Sequence, residues 1–241
     1  MNQKTRQILN TINRDFYSVT AQEFDQTRGR AWAGWEQLLT VADLPIKSVL
    51  DVGCGNGRFG IFLAENQVEP LHYHGVDNSE TLLKFAGEAL KAYPSLRVDL
   101  SQKDVILGEL PEGEFDLVVL FGVIHHVPGF EQRQQFMRDL AGRVAMDGML
   151  AFAEWRFYEQ ERFRQRIVAW DAGIEVERHD YLLDWRRGER ALRYCHYVDD
   201  AEHEQLVTAT GLRVVADYRA DGSTGDLNRY CVLSNELKGK S

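Results

Sequence analysis

The sequence predicts an α/β fold, a mostly parallel seven-stranded sheet with helices on both faces. Three observations carry that reading. Short apolar runs alternate with segments of helical periodicity along most of the chain. A glycine-rich turn, Gly53-Cys54-Gly55-Asn56-Gly57, joins a buried run to a helical segment, an arrangement that makes a site for a nucleotide-like ligand. Asp51, Asp77, Asp104 and the Gly122-Val123-Ile124-His125 stretch all fall at the ends of expected strands. Sheets of this kind bind ligands beyond the carboxyl ends of their strands, which places the site there.

Ile8, Leu9, Ile12 and Phe16 share a helical face, and Trp32, Trp35, Leu38 and Leu39 recur at helical spacing. Residues from about 5 to 40 therefore read as a helical lid, with Trp35 packing it onto the core. Pro45 marks the boundary before the first strand, about Ser48 to Val52. A helix from Gly57 to Asn66 and a strand ending at Asp77 follow. Ser79 N-caps a helix through Leu82, Phe85, Leu90 and Tyr93, which Pro94 stops. A short strand is expected near Leu96 to Asp99, and Phe115 to Phe121 is a buried strand bounded by turn residues. A helix from about Glu131 to Val144 gives way to a turn at Asp147-Gly148 and a strand through Ala153.

From Trp155 to Arg193 the alternation breaks into a segment rich in arginine and aromatics, read as an inserted helical cap over the site. Arg193 to Val198 is strand-like, and Asp199 or Asp200 caps a helix ending at Gly211. Leu212 to Tyr218 and Asn228 to Leu233 supply the final strands. The chain is thus expected to form one domain. Its parts are a lid (1–44), a binding core (45–154), a cap insertion (155–193) and C-terminal strands with a helix (194–241).

At 241 residues and 44% hydrophobic composition, the chain can bury one substantial core. It has no apolar run long enough for a membrane span, and its N-terminus lacks a signal peptide's apolar stretch. Cys54, Cys195 and Cys231 show no metal-ligand spacing, so no metal site is expected and a reducing cytoplasm fits best. The formal charge of -9 argues against bulk electrostatic binding of nucleic acid, although it leaves room for a local basic patch.

A nicotinamide-type turn reads G-x-G-x-x-G, whereas here D-V-G-C-G-N-G puts an acid before the first glycine. Glycine at these positions permits positive φ and close approach of a ligand to the backbone. With strand-final Asp77 following, the stretch from Val49 to Ala153 resembles class I S-adenosylmethionine-dependent methyltransferases. The resemblance implies S-adenosylmethionine as cofactor, held by Asp51, Gly53, Cys54, Gly55, Gly57, Asp77, Asn78, Asp104 and Gly122. Asp77 would accept from the ribose hydroxyls and Asp104 from the adenine amine, with Asp51 organising the turn. The structural alternatives are a helix N-cap for Asp77 and a solvated loop acid for Asp104.

Three further stretches, FYSVTAQEFDQTRGRAW, VIHHVPGFEQR and RYCHYV, resemble the tRNA wobble-uridine carboxymethyl O-methyltransferases. That resemblance implies a carboxylate acceptor on tRNA, gripped by Arg28, Arg133 or Arg193, with His125 on the floor beside the transferred methyl. Tyr17, Trp32, Tyr194, His196 and Asn228 would line the acceptor site, with Trp32 or Tyr194 stacking on a base. His126 reads as a packed histidine. Arg156, Arg162, Arg164, Arg166, Arg186, Arg187 and Arg190 would face the anticodon, unless they form a solvated face with the interleaved acids. Eukaryotic members work with a small zinc-binding activator, a partner the resemblance brings with it. The late family motif D-N-W-Y is altered, with Arg229 in place of the tryptophan, and the helix after RYCHYV is unusually acidic. A small-molecule carboxylic acid or phenol is the alternative acceptor, and a non-catalytic cofactor-binding scaffold is a third reading.

Overall fold

The computed structural model describes residues 1–27, 31–42, 46–67, 70–171, 173–185 and 190–235. The chain opens with α1 (Gln3–Thr27) and α2 (Ala33–Val41). It then alternates β1 (Ser48–Val52), α3 (Arg58–Asn66), β2 (Leu71–Asp77), α4 (Glu80–Leu90), β3 (Leu96–Gln102) and β4 (Phe115–Phe121). α5 (Phe130–Ala141) leads to β5 (Val144–Trp155), the long strand from which the cap departs. The cap holds α6 (Glu161–Arg164), β6 (Ile167–Val168), β7 (Asp180–Trp185) and β8 (Ala191–His196). α7 (Asp200–Thr210), β9 (Arg213–Ala220) and β10 (Asn228–Ser234) complete the fold.

The main sheet has seven strands in the order β3-β2-β1-β4-β5-β10-β9. β1 pairs in parallel with both β2 and β4, and β10 inserts antiparallel between β5 and β9. The order reverses beside β1, so a crevice opens at its carboxyl end, above the glycine turn. Period-two alternation explains the two cores. Val49 packs with Trp35, Phe59, Phe62 and Tyr73 on one face, while Leu50 packs with Phe136, Met137 and Leu140 on the other. Trp35 is 2% exposed, as expected for the residue seating the lid.

Local signals place the helices. Ser79 Oγ accepts from Leu82 N–H at the start of α4, and Asp199 does the same for Glu202 N–H at α7. Gly211 ends α7 in the left-handed conformation. α5 stops at Ala141, earlier than its periodicity suggests, and β5 begins at Val144 with Asp147 at a φ of 64°. None of the helices among the described residues is long and apolar enough to cross a membrane.

The cap differs most from its expected form. Among its described residues, helix is confined to the four residues of α6 and a short 3₁₀ turn at Phe157–Glu159. The cap also forms an antiparallel sheet, β6-β7-β8, around Phe157, Leu183, Cys195 and Tyr197. Asp180 pairs with His196 and Trp185 with Ala191, so RYCHYV belongs to this sheet and straddles the expected boundary at residue 193. Aromatic and branched residues on facing strands favour pairing over a helix here.

Candidate active site

A cavity of about 990 Å³ opens above the carboxyl ends of β1, β2 and β4 and runs beneath α1 and the cap. One half is acidic and glycine-lined. The backbone N–H groups of Gly53 and Cys54 both donate to Val76 O, at 2.7 and 3.0 Å, folding the turn back over β2. Gly53 adopts a φ of +78°, and a Cβ there would lie 2.2 Å from Val123 Cγ2. Gly55 N–H donates to Asp77 Oδ2 at 2.9 Å, and Ser79 N–H to Asp77 Oδ1 at 2.8 Å. Burial pushes the Asp77 carboxyl above its ordinary range, against the pull of these amides.

Asp51 is held by Tyr73, whose hydroxyl donates to Oδ2 at 2.6 Å. Burial pushes Asp51 up to about 7; the Tyr73 bond opposes the rise and the charge of Asp77 adds to it. Burial and the same two acids hold the Cys54 thiol well above its usual range, so it is no nucleophile. Asp104 Oδ2 accepts from Asn10 Nδ2 at 2.7 Å, and Oδ1 from the N–H groups of Ile106 and Leu107 at 3.2 Å. Acids thus stand at successive strand ends, facing a cavity whose glycine turn offers close backbone approach.

The other half is aromatic and cationic. Tyr17 on α1 hydrogen-bonds His126 Nε2 at 3.0 Å, and His126 Nδ1 lies 3.0 Å from Tyr194 O. Burial, helped by the charge of Arg193, pushes His126 down to about 3, so it stays neutral. The His125 ring lies 4.1 Å from that of His126 and 5.4 Å from that of Trp155. The Arg193 guanidinium lies 4.7 Å from the Trp155 ring centre and 5.2 Å from that of Phe16. Arg193 is 8% exposed, and its Nε meets no hydrogen-bond partner among the described residues. Trp185 Nε1 in the same wall is likewise buried without an acceptor.

A methyltransferase-domain family model matches residues 50–150. Over 222 residues the chain is 31% identical to the Encephalitozoon cuniculi protein named "Putative methyltransferase ECU09_1500", covering 90% of this chain and 92% of that one. The chain belongs to the methyltransferase family. It is also 26% identical over 172 residues to human "Probable tRNA methyltransferase 9B", covering 71% of this chain and 32% of that protein. Among solved structures, an S-adenosylmethionine-dependent methyltransferase from Clostridium acetobutylicum superposes with a TM-score of 0.66 at 12% identity, covering 93% and 99% of the two chains. An amino pentose methyltransferase from Micromonospora echinaspora, 18% identical with a TM-score of 0.60 over 89% of this chain, was solved with S-adenosylmethionine bound. The donor set fits it, because an acceptor-only carboxylate suits each of the ammonium, the ribose diol and the adenine amine. A diphosphate would instead meet three acids.

Of the residues expected to hold the cofactor, Asp51, Gly53, Cys54, Gly55, Asp77, Asn78, Asp104 and Gly122 line the methyltransferase cavity. Gly57 does not. A Cβ there would meet Ala86 Cβ and Leu90 Cδ1 at 3.1 Å, so this glycine lets α3 pack against α4. On the acceptor side Tyr17, Trp32, His125, Arg193 and Asn228 line the cavity, and so does His126. Arg28 lies outside the described residues, as do Arg186 and Arg187.

Three expected acceptor residues are corrected by the structure. Arg133 is fully buried away from the cavity, donating to Glu202 at 2.6 Å, Glu177 at 2.8 Å and Val127 O at 3.1 Å. Tyr194 is also fully buried, and its hydroxyl donates to Asp180 at 2.8 Å. His196 spans Asp180 and Glu202, at 2.8 Å from each. The side chains of Arg133, Tyr194 and His196 form a buried polar network under the cap instead of touching an acceptor. The strand period explains the split within RYCHYV, since Arg193 and Tyr194 leave β8 on opposite faces.

Sequence reasoning missed Asn10, Asn13, Trp155, Trp185 and Asp221, which also line the cavity. Asp221 has a φ of 69° and accepts from Asn228 Nδ2 at 2.7 Å, Tyr230 Oη at 2.6 Å and Gly34 N–H at 3.1 Å. It thereby ties α2 to the β9–β10 hairpin. Its only sequence signal was the turn-like RADGSTGD.

Among the described residues, two groups carry atoms able to ligate metal, the buried His125-His126-Cys195 and the partly buried Glu177-Asp180-His196. In each, a histidine has both ring nitrogens in hydrogen bonds already. Burial also pushes the Cys195 thiol up to about 11.

Proposed function

We propose that this methyltransferase esterifies a carboxylate, and that the acceptor is a carboxymethyl group on a tRNA wobble uridine. The observation that carries the carboxylate is Arg193, a buried cation on the cavity wall with no acid within ion-pair distance among the described residues. A buried guanidinium without a counter-ion is costly, and an incoming carboxylate supplies the missing charge. Trp185 Nε1–H offers that anion a second donor.

S-adenosylmethionine supplies an electrophilic methyl group on a sulfonium. We assign its ammonium to the side of Asp51, its ribose diol to Asp77 and its adenine amine to Asp104, with the turn from Gly53 to Gly55 beneath. A carboxylate is already ionised at neutral pH, so no side chain has to remove a proton. Arg193 orients the acceptor oxygen, and the rings of Trp155, Phe16 and Tyr17 exclude water around it. His125 packs against Trp155 at the floor of this half.

Support for tRNA comes from the relative named as a tRNA methyltransferase and from the aromatic walls, which suit a nucleobase. Arg162 and Arg166 flank Phe163 at the cap side of the same cavity. One observation favours a small carboxylic acid instead. Arg156 and Arg164, expected to face an anticodon, are paired with Glu159, Asp200 and Glu161.

The test incubates the enzyme and tritiated S-adenosylmethionine with tRNA bearing the free carboxymethyl group. Base-labile label at the wobble nucleoside is expected. Unlabelled tRNA together with turnover of a free carboxylic acid would establish the second reading.

A further inference from the structure

The lid helix meets the cavity at a residue that no motif singles out. Asn10 on α1 lines the cavity and is 1% exposed. Its Nδ2 donates to Asp104 Oδ2 at 2.7 Å. That partner fixes the amide, because a carboxylate oxygen accepts and the nitrogen must therefore face it. The remaining oxygen, Oδ1, is buried and meets no donor among the described residues. Native structures rarely leave a buried carbonyl unpaired, so this one needs a partner that arrives from elsewhere.

The surroundings say which partner. Val105 and Ile106 are buried beside Asp104, and together with Leu82 they give the cavity an apolar wall at this point. A flat ring with a donor on its edge fits there, because the polar atoms on offer are acceptors. Adenine has that form, with two N–H bonds on one exocyclic nitrogen. We propose that Asn10 Oδ1 accepts one of them beside Asp104, which makes the lid helix part of the cofactor site. The inference rests on the adenine lying at Asp104.

A coupling follows from the same helix. Two helical turns beyond Asn10, α1 carries Tyr17 into the acceptor half. Between them Asn13 Oδ1 accepts from Tyr194 N–H at 2.9 Å, and further on Asp25 accepts from Asn56 Nδ2 at 2.8 Å. An adenine held by Asn10 therefore adds a contact to the helix that builds the acceptor wall, and cofactor binding stabilises the acceptor site.

Calorimetric titration with S-adenosylhomocysteine and with S-inosylhomocysteine, which has a carbonyl in place of the amine, tests this directly. Asn10→Ala is expected to weaken the adenosyl compound about tenfold and to leave the inosyl compound unchanged, as loss of one hydrogen bond to the amine requires. Hydrogen exchange should show S-adenosylhomocysteine protecting α1 amides in the wild type and doing so less in the variant. Asn10→Ser repeats the test should the alanine variant fold poorly. Equal weakening of both ligands, or no change for either, would overturn the proposal. Asp104→Ala with full discrimination between the ligands would place the adenine elsewhere, a failure distinct from one at Asn10.

Discussion

The guanidinium of Arg193 lies 4.7 Å from the centre of the Trp155 ring, a cation held by an aromatic face in a site where an acid would be ordinary. Ring contacts position a charge without neutralising it. Arg133 shows the contrast, since two glutamates absorb its guanidinium. One arginine is left for a ligand to pair, and the other belongs to the scaffold.

Arg193→Lys should therefore damage acceptor use and spare the cofactor. A lysine ammonium keeps the charge but loses the planar fork and its stacking on Trp155. On the carboxylate acceptor, kcat/KM is expected to fall about 100-fold, consistent with loss of a charge-assisted, oriented contact. The calorimetric Kd for S-adenosylhomocysteine should stay within about twofold in the same variant. A matching loss of cofactor affinity would place Arg193 in the cofactor half.

Cofactor affinity should depend on pH through Asp51. Its folded-state value of about 7 is raised above the ordinary 3.8, so the carboxyl changes charge around neutrality. Protonation removes the charge proposed to face the methionine ammonium, and affinity is expected to fall as pH drops below about 7. The stability linkage has the opposite sense. A raised carboxyl value stabilises the fold fully below 3.8, and that contribution is lost as pH rises through about 7. Tyr73→Phe removes the hydrogen bond that favours ionisation, so the binding midpoint should move upward. Titrations from pH 5.5 to 8.5 would show it, and an unmoved midpoint would assign the pH dependence to another group.

The sheet and the cofactor half were legible because their signals are local. Strand-final Asp51 and Asp77, the glycine turn and the Ser79 cap each depend on neighbours a few residues away. Gly57 misled for the opposite reason, since its constraint comes from Ala86 and Leu90 on another helix. The acceptor half depends on contacts across the whole chain. Asn13 bonds Tyr194 and Arg133 pairs with Glu202, at separations of 181 and 69 residues. No short motif encodes which arginine ends in an ion pair, and RYCHYV gives no hint that β7 will claim it as a partner.

Gly53 and Gly57 should separate on substitution, although both have positive φ. Gly53→Ala drives a Cβ into Val123 at the cavity floor, so cofactor affinity is expected to fall more than tenfold. Gly57→Ala presses on the α3–α4 contact instead and should cost about 1–3 kcal/mol of stability through backbone strain and crowding. Denaturant titration and cofactor calorimetry on both variants would show the crossover. Equal cofactor loss would mean that Gly57 supports the ligand as well.

Arg133→Met is expected to destabilise the fold without touching chemistry. Among the described residues, the substitution leaves Glu177 without a cation and Glu202 with His196 alone. Breaking a buried ion pair on one side costs about 3–5 kcal/mol, and the partial exposure of these glutamates places this case at or below that range. His196 adds to the coupling. Burial pulls its value down, but bonds to Asp180 and Glu202 prevail and hold it raised. Part of the lost stability should return in Arg133→Met combined with Glu177→Gln, which removes the charge that Arg133 alone had paired, as a double-mutant cycle would record. If Arg133→Met instead abolished turnover while urea unfolding stayed at its wild-type midpoint, Arg133 would have to reach the acceptor, and the buried network would not be its role.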